Sequence, residues 1–270
     1  MQGIHDFIPT EHKAAYIQKL LACGFDTLDF GSFVSPKAIP QMRDTAEVLA
    51  QLDLSETSTE LLAIVANRRG AVAALEHPDI QYLGYPFSVS ETFQLRNTNA
   101  TIEESVERLS QIQELVVAAD RQLVVYLSMG FGNPYGDPWN VEVVESWVRK
   151  LSEFDIKIFQ LSDTIGVASP ESISYLFSNL IPRYPTLEIG AHLHTTPNSW
   201  RSKVEAAAEA GCTRFDGALR GYGGCPMAKD ELTGNMPTEK LIDYFGFERS
   251  GIDKTALAAA MAESNNVFLR

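Results

Sequence analysis

Two histidines, His192 and His194, close the run Leu187-Glu188-Ile189-Gly190-Ala191-His192-Leu193-His194-Thr195-Thr196. The run reads as a strand passing into a loop, and side chains at i and i+2 of a strand leave on the same face. Two neutral imidazoles placed side by side can hold a divalent metal. Other chemistry-bearing residues also sit at the ends of apolar runs. They are Asp29 in Thr27-Leu28-Asp29-Phe30, Asn67 before Arg68-Arg69, Asp163 in Gln160-Leu161-Ser162-Asp163-Thr164, Cys225 in Gly223-Gly224-Cys225-Pro226, and Asn235 after Gly234. Carboxylate, imidazole and carboxamide together form a mixed N/O donor set that suits Mg²⁺, Mn²⁺ or Zn²⁺ better than copper or iron–sulfur. Cys225, in a flexible loop with little to pack against, reads as a reactive thiol.

Each of these has a structural reading as well. Asp29 or Asp163 can cap the helix that follows it, and Asn67 can satisfy a turn. Lys37, Arg68 and Arg69 can be solvated charge, or they can supply the local positive cluster that an anionic ligand needs. His5, His12 and His77 read as surface histidines.

The elements that must position these residues alternate along the chain. Strand patterns fall at Phe25–Phe33, Glu60–Asn67, Ile80–Phe87, Gln122–Met129, Lys157–Asp163, Leu187–Thr195 and Arg214–Leu219. Most are rich in Val, Ile, Leu and Phe, as strands covered on both faces are. Helical patterns fall at Glu11–Ala22, Ala38–Leu52, Arg68–Leu75, Thr101–Asp120, Val141–Phe154, Ser172–Leu180, Ser199–Ala210 and Thr238–Phe245. Thr101 and Ser169 stand as N-cap hydroxyls before acidic first turns. Seven strands and eight helices in alternation predict an α/β fold, a (β/α)₈ TIM barrel whose first β-strand is missing from this chain, occupying residues 1–270 as one domain. A doubly wound open sheet is the other architecture that tolerates seven strands. Against it, no Gly-x-Gly-x-x-Gly follows an early strand.

A chain of 270 residues that is 45% hydrophobic can bury a large core. Its net charge of −13 argues against a nucleic-acid partner, and it requires an anionic substrate to find local cations or a metal. Three widely spaced cysteines suit free thiols in a reducing compartment. No run approaches a membrane span and no signal or transit pattern opens the sequence, so the cytoplasm is the expected location.

Several runs taken together resemble 3-hydroxy-3-methylglutaryl-CoA lyase of the DRE-TIM metallolyase family. They are Gly31-Ser32-Phe33-Val34-Ser35-Pro36-Lys37 with Pro40-Gln41-Met42, and Ser162-Asp163-Thr164-Ile165-Gly166-Val167. The His-x-His pair follows, then Gly223-Gly224-Cys225-Pro226 with Gly234-Asn235 and Thr238-Glu239. The resemblance implies a TIM barrel in which His192, His194 and Asn235 bind the metal, Mg²⁺ or Mn²⁺ first and Zn²⁺ second. Cys225 would lie on a loop that closes over an acyl-CoA substrate, with Asp163 near the reacting carbons. Asp29 stands where the family usually carries Glu. Lys37, Asn67 and Arg68 become the expected contacts to the acyl-CoA. The implied reaction is cleavage of 3-hydroxy-3-methylglutaryl-CoA to acetyl-CoA and acetoacetate, with Cys225 or His192 as proton donor, and a homodimer is expected.

The family's first strand ends in an Arg-Asp pair, and the matching segments here begin just after it. The expectation is that the full product carries that strand; a chain truly starting at Met1 would lack one metal ligand and a catalytic cation. Two other functions fit the same motifs: a different DRE-TIM aldolase or acyl-CoA condensing enzyme, and a degenerate scaffold kept for binding.

Overall fold

A computed structural model describes residues 1–4, 6–223 and 234–268. Six strands form one parallel sheet: β1 (Thr27–Ser32), β2 (Glu60–Ile64), β3 (Ile80–Ser88), β4 (Gln122–Ser128), β5 (Ile158–Ser162) and β6 (Glu188–His192). They lie in unbroken sequence order, each paired to the next. A doubly wound sheet would reverse its order at a switch point; this one does not. The chain is therefore a (β/α)₈-type barrel, and the open-sheet alternative falls.

The seventh position is occupied only in part. The pattern over Arg214–Leu219 predicted a full strand, but, apart from a bridge of Ala218 to Pro237 outside the sheet, the structure keeps one bridge, Ala191 to Phe215. It is held by Ala191 N donating to Arg214 O and Asp216 N donating to Ala191 O. The chain then enters the short 3₁₀ turn Leu219–Gly221, which contains the left-handed Arg220 (φ 60°). Among the described residues, no strand lies between β1 and this segment.

Leu187–Thr195, read as one strand, divides at Leu193. Beyond β6, β7 (His194–Thr195) pairs antiparallel with β8 (Gly234–Asn235), setting His194 opposite Asn235. The predicted helix at Ala38–Leu52 also divides, into a 3₁₀ turn Pro40–Met42 and a helix Thr45–Leu49. Pro40 begins the first piece because it lacks an N–H. Three helices had no clear sequence pattern: Glu91–Thr98, Phe247–Ser250 and Lys254–Phe268. The last packs on Thr10–Leu21 around Tyr16, Leu20, Leu257, Ala260 and Val267, a core cluster separate from the main one.

Alternation along the strands divides the interior into two layers. Leu83, Tyr85, Val125, Leu127, Phe159 and Leu161 join the layer between sheet and helices. Leu62, Tyr82, Val124 and Ile158, with Ile64 and Tyr126, fill the barrel itself. Gln160 follows Ile158 by two residues and therefore faces the same interior. The apolar filling gives way to polar side chains toward the strands' C-terminal ends.

Candidate active site

His192 ends β6 and His194 begins β7, and their rings lie 5.6 Å apart between centroids. Thr164 fixes the second ring: His194 Nδ1 is 2.9 Å from its carbonyl oxygen, a contact that requires hydrogen on Nδ1. Burial, and next the neighbouring His192, lower the pKa of His194 and favour the neutral ring. Its Nε2 is then a bare lone pair, and it faces Asn235 Oδ1 at 3.0 Å. The orientation of that carboxamide is fixed in turn, because Asn235 Nδ2 donates to Tyr222 O. The chain passes this amide closely at Gly223 (φ +102°), where a Cβ would stand 2.7 Å from Asn235 Nδ2.

In that neutral tautomer two acceptors face each other, an arrangement that a cation between them would relieve. A separation of 3.0 Å matches the edge of an octahedron with bonds of about 2.1 Å. His192 completes the set. Its Nδ1 donates to Asp216 Oδ2 at 3.0 Å, and a ring carrying its single hydrogen there presents Nε2 as an acceptor. Among the described residues no group of three His, Cys, Asp or Glu side chains could hold a metal; the group lying against His194 Nε2 is the Asn235 carboxamide. The donor set of two imidazoles and an amide oxygen fits a divalent cation.

Around this pair lies a ring of polar groups facing the barrel interior. Gln160 Nε2 donates to Asp216 Oδ1 at 2.9 Å. Tyr126 meets His192 edge-on at 5.4 Å. Its hydroxyl is pushed well above the ordinary phenol range by burial and then by the Asp216 and Asp29 carboxylates. Asp29 projects from β1 into the same space, where water reaches it although protein crowds it on every side. Desolvation of its carboxyl by the surrounding protein, and next the charge of Asp216, push it up to about 7.

The other expected site residues fall as follows. Asp163 is buried, with Oδ2 2.6 Å from Lys203 Nζ and Oδ1 accepting from Ala168 N. Both oxygens are committed, so the carboxylate holds the β5 loop. Lys203 also donates to Gly166 O and His194 O, tying that loop to β7. Asn67 caps the helix Arg68–Leu75 by accepting from Gly70 N at 3.0 Å. Lys37 is exposed on the loop after β1, and Arg68 is exposed at the first position of the helix after β2; the two strands are neighbours. Cys225 lies outside the described residues.

Asp216, Gln160, Tyr126 and Lys203 were not singled out from the sequence. Gln160 carried a signal, a carboxamide in the middle of an otherwise apolar, fully buried strand. Asp216 carried a weaker one, the acid in the last strand pattern.

An HMGL-like family model matches residues 1–262. The hydroxymethylglutaryl-CoA lyase of Bacillus subtilis is 35% identical over 236 residues, covering 87% of this chain and 78% of that protein. A crystal structure of the HMG-CoA lyase from Brucella melitensis superposes with a TM-score of 0.91 at 28% identity, covering 100% of this chain and 95% of the other. An HMG-CoA lyase from Acinetobacter baumannii, solved in complex with coenzyme A and 3-methylmalate, gives 0.88 at 30% identity, covering 98% and 86%.

Proposed function

This chain belongs to the HMGL-like family, and on that premise we propose that it cleaves a carbon–carbon bond of 3-hydroxy-3-methylglutaryl-CoA, or of a closely related 3-hydroxyacyl-CoA, in a divalent-metal-dependent reaction. The observation that carries the reading is the convergence of His192, His194 and Asn235 at the barrel mouth, with His194 Nε2 and Asn235 Oδ1 3.0 Å apart. The B. subtilis relative and the coenzyme A complex of the A. baumannii enzyme support the substrate class.

His192, His194 and Asn235 would hold the metal, which when bound polarises the substrate's oxygens and lowers the pKa of its tertiary hydroxyl. Asp29, with a carboxyl that titrates near neutrality, receives the hydroxyl proton. The bond between C2 and C3 then breaks. The hydroxyl carbon becomes the ketone of acetoacetate, and the electron pair passes to C2 and the thioester carbonyl. A proton delivered to C2 by Cys225 or His192 completes acetyl-CoA. Asp163 acts through position: paired with Lys203, it holds the Thr164 carbonyl that orients His194. Lys37 and Arg68 on the rim meet the phosphates of the acyl-CoA.

The test is incubation of the protein with 3-hydroxy-3-methylglutaryl-CoA and Mg²⁺ or Mn²⁺, with acetoacetate measured directly. Acetoacetate should form, disappear with EDTA and return with added metal. Failure to bind either cation, together with no cleavage of this or other 3-hydroxyacyl-CoA thioesters, overturns the reading. A parallel series of such thioesters identifies the preferred acyl group.

A further inference from the structure

We infer that Asp216 is a positioning residue for the cation site, one that holds His192 in the tautomer with hydrogen on Nδ1 so that the Nε2 lone pair remains available. The inference deepens the proposed function, resting on it only in taking His192 as a ligand. Asp216 Oδ2 lies 3.0 Å from His192 Nδ1, and a carboxylate can only accept there. The ring must therefore donate.

The fold holds Asp216 in that place by several independent means. The seventh barrel position keeps a single backbone bridge, made by the Arg214 carbonyl and the Asp216 N–H around Ala191, directly beside His192. Gln160 Nε2 holds the second carboxylate oxygen at 2.9 Å. Gln160 is itself fully buried, and its Oε1 has no hydrogen-bond partner among the described residues. An amide placed so that one end goes unsatisfied, while the other donates to a carboxylate, is there for the carboxylate. Gly190 makes the room: a Cβ at that position would stand 2.2 Å from Gln160 Oε1 and 3.0 Å from Arg214 Cβ. Tyr126, edge-on to His192, limits the ring on its other side.

A purely structural ion pair would not depend on which nitrogen carries the hydrogen, and that difference provides the test. In Asp216→Asn the carboxamide can turn its NH₂ toward Nδ1, moving the ring hydrogen to Nε2 and removing the ligand lone pair. Two measurements need no substrate: imidazole ¹⁵N shifts of the metal-free protein, and Mn²⁺ affinity from the free-ion EPR signal. In the wild type, His192 should carry hydrogen on Nδ1. Asp216→Asn should show the other tautomer and bind Mn²⁺ about 10–100-fold more weakly. Asp216→Glu should recover part of that affinity.

A wild-type His192 with hydrogen on Nε2 overturns the inference without any variant. So does a folded Asp216→Asn protein that binds Mn²⁺ within about twofold of wild type, or a wild type that does not bind Mn²⁺. The two readings separate cleanly. Asp216-dependent Mn²⁺ binding without acyl-CoA cleavage defeats the lyase assignment alone, and cleavage that survives Asp216→Asn with unchanged Mn²⁺ affinity defeats only the role of Asp216.

Discussion

Asp29 stands in water yet inside the barrel, with its carboxyl pushed up to about 7 by desolvation and then by Asp216. In the unfolded chain the same group titrates near ~3.9. Between these values the folded protein retains a proton that the unfolded chain has lost, so stability rises as pH falls through 7 toward 4. Above pH 7 the native carboxylate is charged and the cost is at its greatest. Asp29→Asn should therefore melt higher than wild type at pH 8, by about 2–4 °C, the effect of roughly 1 kcal/mol in a chain of this size after discounting for water at the group. The gap should shrink below pH 7 and close near pH 4; a gap independent of pH would refute the raised pKa. If Asp29 is the base, turnover gains an acidic limb near neutrality that the same substitution removes. Lys203 makes the opposite case, because its ammonium and the Asp163 carboxylate are both nearly inaccessible and 2.6 Å apart. Lys203→Met leaves that carboxylate buried without its partner, and urea unfolding should report a loss of about 3–5 kcal/mol.

Local pattern specifies elements well where one face must be apolar, and less well where a contact is tertiary. β1 to β6 were all legible because they are short apolar runs between turn signals, and the His-x-His pair was legible because β6 ends where the chain becomes polar. The division of that run at Leu193 was not, since β7 exists only through pairing with Gly234–Asn235, some forty residues on. Arg214–Leu219 is also divided by a tertiary contact, since Phe215 bridges to Ala191 beside β6 while Ala218 pairs with Pro237 instead. Lys254–Phe268 is rich in alanine and weakly patterned, and it becomes recognisable only against Thr10–Leu21. In the site, the His-x-His pair was legible from type and spacing, while Asn235 came from the resemblance; the structure sets its Oδ1 3.0 Å from His194 Nε2. Asp216 and Lys203 were not legible, because their roles lie in contacts made 24 and 40 residues away. Packing between elements also sets a prediction of its own. Gly70, in the first turn of the helix Arg68–Leu75, would place a Cβ 2.4 Å from the backbone carbonyl oxygen of Phe33, just past β1. A backbone atom at the end of a strand cannot swing aside as a side chain can. Gly70→Ala should therefore cost about 1–3 kcal/mol by urea unfolding despite alanine's better helix propensity; a stabilised variant would show that helix and strand end move apart freely.

At the scale of the whole molecule, a net charge of −13 sets long-range repulsion against short-range attraction for the proposed acyl-CoA, itself a polyanion. The excess acidic charge acts at a distance. Lys37, exposed on the loop after β1, and Arg68 and Arg69, exposed in the first turn of the helix after the adjacent β2, would act from one side of the barrel rim. The screening length is about 30 Å at 0.01 M salt and about 10 Å at 0.1 M. Raising the ionic strength over that range should therefore remove the distant repulsion first, leaving the rim cations to act on phosphates already close to them. kcat/KM should rise from 0.01 M to roughly 0.1 M and fall again toward 1 M, where a screening length near ~3 Å weakens the rim contacts too. An Arg68→Gln/Arg69→Gln variant should lower the maximum while keeping the initial rise, with the loss expressed in KM rather than kcat because these groups lie away from the reacting carbons. A monotonic fall from the lowest salt would mean that the rim's attraction already outweighs the molecule's repulsion at every distance. An unchanged KM in the variant would place the phosphates elsewhere on the barrel mouth.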